Sequence, residues 1–116
     1  MKTKAKILQP PEELEGEALL EWGRICDDLS AIGQLEKTDR ALLVVYCETW
    51  SVHRAATAGV VKEGPVIRYA NDMVGPNPFY KIQKETAALL RGFLRDMGLT
   101  RESRTRVSGE AQDLDI

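Results

Sequence analysis

Residues 12–33 read EELEGEALLEWGRICDDLSAIG. Within them Leu14, Ala18, Trp22, Ile25, Leu29 and Ile32 recur at steps of three and four, which lines them along one face of an α-helix. The spacing predicts a helix from about Glu12 to about Ile32. Glu12, Glu13, Glu15 and Glu17 fall in its first turns, where carboxylates complement the helix dipole, and Gly33 supplies a stop. Gly23, which costs about 1 kcal/mol relative to alanine inside a helix, is expected at a close helix contact.

Downstream, Thr38 or Asp39 can cap a second helix. Its expected apolar positions are Leu42, Val45, Tyr46, Thr49, Trp50 and His53. The run 41–45 (ALLVV) is apolar around most of a helical circumference, which suggests a central, buried helix, and Gly59 is expected to close it. Val60-Val61 and Val66-Ile67 flank Lys62-Glu63-Gly64-Pro65, the pattern of a short β-hairpin or an extended loop. Asn77 and Pro78 supply the cap and first position of a third helix. Its stripe is Ile82, Thr86, Leu89, Leu90, Phe93 and Met97, ending at Gly98. A short fourth helix is expected from Thr100 to Val107.

The predicted fold is therefore mostly α: an N-terminal antiparallel helical hairpin, a short β-hairpin or extended segment, a third long helix and a short C-terminal helix. The expected organisation is a flexible basic arm over 1–11, a single helical domain over 12–107 and a disordered acidic tail over 108–116. A chain of 116 residues suits one domain and leaves much of its surface exposed. Apolar faces left uncovered are expected to drive self-association.

Several classes of chemistry lack their residues. There is no Gly-rich phosphate loop, no nucleophile elbow and no motif supporting a Ser/His/acid set. Cys26 and Cys47 lie inside apolar helical patterns and read as reduced, buried small hydrophobes. With His53 they match no familiar zinc spacing. Asp27 and Asp28 are adjacent and point to different faces, and the acidic run Glu12 to Glu21 reads as a solvated helix face. No catalytic site, metal or cofactor is expected. No apolar run approaches the roughly 20 residues of a membrane span, and no apolar stretch follows the basic start of the chain as in a signal peptide. A soluble protein of a reducing cytoplasm is expected.

The formal net charge is −2, but charge is unevenly placed. Residues 81–106 hold Lys81, Lys84, Arg91, Arg95, Arg101, Arg104 and Arg106 against Glu85, Asp96 and Glu102, a local excess of +4. With the hydroxyls of Ser103 and Thr105 this is a phosphate-contacting set. Lys2, Lys4 and Lys6 in the arm extend it. The alternative is a basic face that docks on an acidic face of a neighbour. Trp22, Trp50 and Tyr46 lie on apolar stripes and are expected in the core rather than against bases. His53 is expected to be a satisfied buried or interface residue, and Tyr69, Phe79 and Tyr80 to anchor the loop or face a neighbouring subunit.

The order of these features resembles one family, the small subunits of phage terminases from cohesive-end tailed phages and related prophages. The pattern is a basic or Pro-containing arm, then Ala18-x-x-x-Trp22 with Leu29 following. A small turn comes next (Gly33-Gln34-Leu35), with Asp39 opening a helix that carries Tyr46-Cys47. Asn77-Pro78 opens another helix, and the pattern closes on the run Gly98 to Arg106, GLTRESRTR. Arg101 stands where many relatives carry proline, which leaves the start of the fourth helix less preset. The resemblance implies a non-catalytic, ring-forming homo-oligomer in the cytoplasm of the bacterial host. It would recognise double-stranded viral DNA and bring it to the large terminase subunit, which carries the ATPase and nuclease. A protein-only adaptor module and a helical transcription regulator are the competing readings. The latter lacks a clean helix-turn-helix with an exposed basic recognition helix.

Overall fold

A computed structural model of the chain describes residues 8–101. Helix α1 spans Gly16–Ala31, a 3-10 turn Leu35–Lys37, and helix α2 Arg40–Glu63. Strands β1 (Val66–Arg68) and β2 (Val74–Pro76) follow, then helix α3 (Pro78–Asp96). The mostly helical architecture with one small hairpin is the one predicted. The fourth helix, apart from its first residues, lies outside the described residues.

The α1 stripe is buried as its spacing requires: Ala18, Trp22, Ile25 and Leu29 face the core, with Leu14 just ahead of the helix. Helix α1 starts later than predicted because the Leu14 N–H bonds back to the Pro11 carbonyl at 3.1 Å, which makes a turn of the preceding residues. Gly23 is not at a helix contact; it is exposed, with open space beside it.

In α2 the buried row is Leu43, Tyr46, Cys47 and Ala56, with Trp50 half-buried. Leu42 is only partly buried and Val45 is 46% exposed. The predicted phase was one residue off, since five consecutive apolar residues at 41–45 carry no phase information of their own. The helix is central without being buried all round. Its first half packs on α1, where Tyr46 meets Glu21 and Arg40 lies over the Trp22 ring. Its second half packs antiparallel on α3, through His53 to Thr86 and Thr57 to Gln83.

Helix α2 does not close at Gly59 but runs on to Glu63, and the chain turns at Gly64 with φ 83°. Gly59 has another role: a Cβ there would lie 2.8 Å from Phe79 Cγ, so the missing side chain lets α3 start against α2. Val60 and Val61 are therefore helical. The hairpin forms one segment later, pairing Val66 with Pro76 and Arg68 with Val74. Tyr69 and Phe79 anchor this corner, Tyr69 through its hydroxyl to the Pro76 carbonyl. Tyr80 is exposed. In α3, Leu90, Thr86 and the following Met97 are buried, but Leu89 is 54% exposed, on the outer side of the predicted stripe.

One polar side chain ties α2, the hairpin and α3 together. Asn77, 2% exposed, accepts from the Phe79 N–H at 3.0 Å as the cap of α3. Its Nδ2 donates to the carbonyls of Gly64 at 2.7 Å and Gly59 at 3.3 Å, and its backbone N–H donates to Pro65.

Candidate nucleic-acid interface

Helix α3 sorts its residues by side. At about 100° per residue, Thr86, Leu90 and Phe93 point toward α2, while Lys81, Lys84, Arg91 and Arg95 fall within an arc of about 80° on the opposite side. All four are exposed, and none is paired with a carboxylate among the described residues. Lys84 Nζ lies 5.2 Å from the centre of the Tyr80 ring, a weak cation–π contact that leaves the ammonium in solvent. Lys81 and Arg95 are separated by about 21 Å along the axis, the length of several phosphate steps on one DNA strand. Arg101 is exposed just past the end of α3. Lys2, Lys4, Lys6, Arg104 and Arg106 lie outside the described residues, so the geometry brings together four of the ten predicted contacts as one stripe.

A second charged group, on α1 and α2, escaped the sequence reading. Glu21 belongs to the acidic run assigned to a solvated face, yet it is 2% exposed. It accepts from the Tyr46 hydroxyl at 2.6 Å and from Arg24 Nε and Nη2, both at 2.9 Å. Every buried side-chain polar atom among the described residues is partnered. Burial, together with the hydrogen bond to Glu21, raises the Tyr46 pKa well above that of an ordinary phenol. Donation to Glu21 likewise raises the Arg24 pKa. The Arg24 guanidinium lies 5.2 Å from the Trp50 ring centre and that of Arg54 5.9 Å. The signal was present in the sequence: Glu21 stands three residues after Ala18 and four before Ile25, inside the apolar stripe.

The start of the described chain is held by a third group. Trp22 Nε1 donates to the Leu8 carbonyl at 2.9 Å, and Arg40 donates to the Gln9 carbonyl at 3.1 Å. Leu8 packs on the core. Both tryptophans thus serve packing. Cys26 and Cys47 are free thiols, half-buried and buried; desolvation pushes their pKa up to about 11 and about 12. No group of three or more His, Cys, Asp or Glu residues that could hold a metal occurs among the described residues. No described helix is long and apolar enough to cross a membrane.

These features define a small helical protein whose helix α3 carries a basic stripe away from its core, with no carboxylate partner among the described residues. The family model of the phage terminase small subunit matches residues 18–113, most of the chain, and the protein belongs to that family. Its role is accordingly in phage DNA packaging. The match begins at Ala18, the first buried residue of α1, and takes in every later element. Comparison with curated proteins and with solved structures gives no match.

Proposed function

We propose that the chain is the DNA-recognising, non-catalytic subunit of the packaging machine, delivering double-stranded viral DNA to the catalytic large subunit in the bacterial cytoplasm. The observation that carries this reading is the stripe Lys81, Lys84, Arg91 and Arg95, four exposed cations on one side of α3 in a chain of this family. Cations so placed neutralise phosphates and release counterions. Lys2, Lys4, Lys6, Arg101, Arg104 and Arg106 complete the proposed contact set. The protein works as a homo-oligomeric ring. This is supported by apolar side chains left uncovered on all three helices, among them Leu20 at 72%, Val52 at 48% and Leu89 at 54% exposure.

The test is duplex binding by the variant K81A/K84A/R91A/R95A, followed by fluorescence anisotropy, with the oligomer mass measured in parallel. The expected result is affinity at least about tenfold weaker across unrelated sequences, at unchanged mass, since phosphate contacts carry no base information. A variant that dissociates into smaller species while each retains its DNA affinity would instead make the stripe a subunit interface. The exposed acidic residues Glu12, Glu13, Glu15 and Glu17 would then be its natural counterpart.

A further inference from the structure

The two edges of the hairpin are unequal. The Tyr69 N–H bonds to the Met73 carbonyl and the Asn77 N–H to the Pro65 carbonyl. With the register Val66 to Pro76, Ile67 to Gly75 and Arg68 to Val74, Ile67 is the residue of β1 whose backbone groups turn toward β2. In an antiparallel pair the alternate residues turn theirs away. Val66 and Arg68 therefore point two N–H and two C=O groups along the free edge of β1, and none has a hydrogen-bond partner among the described residues. The edge of β2 is obstructed. Pro76 has no N–H, and its carbonyl accepts from the hydroxyl of Tyr69, whose ring lies against Gly75.

The outer face beside the open edge is largely apolar. Val66 stands opposite Pro76 and Arg68 opposite Val74, so these four share one face. All four are exposed, Val66 at 57% and Val74 at 58%, and no residue of either strand belongs to the hydrophobic core. A lone two-stranded hairpin is marginal in water and is stabilised by further strands.

We propose that β1 pairs antiparallel with β1 of a second copy of this chain, about a two-fold axis at Ile67, making a four-stranded sheet in the order β2-β1-β1-β2. The register with Ile67 opposite Ile67 is the one that satisfies all four outward groups, Val66 of each copy bonding to Arg68 of the other. It also sets each Arg68 opposite a valine, so the two like charges do not face each other directly. Because the β2 edge is obstructed, hairpins do not add head to tail, and the contact closes in pairs. The proposal rests on the reading that the chain self-associates, but it supplies a contact other than the one that closes a ring. It joins two rings, or two chains, and the assembly holds an even number of chains.

Residues facing each other without hydrogen bonds in an antiparallel pair have Cα atoms about 4.5 Å apart, within reach of a disulfide. Val66 of the two copies would be diagonal neighbours at about 7–8 Å, beyond that reach. Full-length I67C and V66C are oxidised in parallel and the two-chain product is followed on non-reducing gels. Its link is mapped by peptide mass, which tells it from products of Cys26 and Cys47. I67C is expected to cross-link at least about tenfold faster than V66C, although position 66 is the more exposed. Equal rates, or no 67–67 link, overturn the pairing. Native mass gives a second reading. Wild type is expected to hold an even number of chains, falling to half in R68P, which removes one outward N–H and leaves the bonds between β1 and β2 in place. An odd number, or an unchanged mass in folded R68P, overturns the proposal. Should R68P not fold, the comparison of I67C with V66C decides alone. A monomeric wild type overturns this pairing together with the ring, whereas an oligomer without a 67–67 link overturns the pairing and leaves the ring standing.

Discussion

Asn77 offers a substitution whose outcome separates two accounts of the same residue. If Asn77 were only the cap of α3, N77D would be nearly neutral, because aspartate and asparagine cap equally well. The structure gives the side chain a second task, since Nδ2 donates to the Gly64 and Gly59 carbonyls in a site 2% exposed. N77A loses the cap, worth about 1 kcal/mol, and leaves buried carbonyls without their donor, about 1–3 kcal/mol more. A loss of about 2–4 kcal/mol is expected, a drop of about 8 °C or more in Tm at about 4–8 °C per kcal/mol for a domain near this size. N77D keeps the cap acceptor but turns a carboxylate oxygen toward the Gly64 carbonyl, so it should be at least as damaging as N77A. The introduced carboxyl is desolvated, so its folded pKa is raised and it binds its proton more readily in the folded state. The N77D deficit should therefore shrink as pH falls from 7 toward 5. Urea unfolding followed by circular dichroism measures all three proteins. N77D equal to wild type at pH 7 would refute the tie between α2, the hairpin and α3.

Three further outcomes follow from the packing. Y46F removes a donor to the buried Glu21 carboxylate and should lower unfolding free energy by about 1.5–3 kcal/mol; a change below about 0.5 kcal/mol, typical of an uninvolved surface site, contradicts the network. G59A should gain about 1 kcal/mol from helix propensity but meets the Phe79 ring, so it is expected to destabilise wild type and to stabilise the F79A background. A gain in both backgrounds removes the contact. With thiol pKa values raised to about 11 for Cys26 and about 12 for Cys47, alkylation by iodoacetamide at pH 8 should be slow in the folded protein and fast in urea. The folded state holds these protons longer than the unfolded chain, so their contribution is intact below about pH 9 and is lost as pH rises through 11 and 12.

How much of this was legible follows from where the apolar residues stand. Apolar residues flanked by polar residues or glycine fix a phase, as Trp22 and Leu29 do in α1 and Met97 does just past α3, and steps of three and four from them reach Ala18, Ile25, Leu90 and Thr86. A block such as 41–45 fixes none, and α2 came out rotated by a residue. Its end was misplaced because Gly59 marks a close approach to Phe79 rather than a stop. The hairpin moved downstream because a helix that continues to Glu63 takes Val60 and Val61 with it. Asn77-Pro78 was legible as a cap, but its bonds to Gly59 and Gly64 depend on tertiary placement. In the basic set, the side taken by Lys81, Lys84, Arg91 and Arg95 follows from helical spacing alone. The burial of Glu21 was missed because a run of carboxylates suggested solvent, although its position in the stripe pointed inward.

The most direct test of the account is the salt dependence of duplex binding by wild type and by K81A/K84A/R91A/R95A. Log affinity should fall linearly with log salt, at a slope of about 0.9 per neutralised phosphate. The variant is predicted to flatten that slope by up to about 3.6, corresponding to four phosphates, while its far-UV spectrum and oligomer mass stay unchanged. An identical slope for the two proteins would contradict the placement of DNA on the outer side of α3.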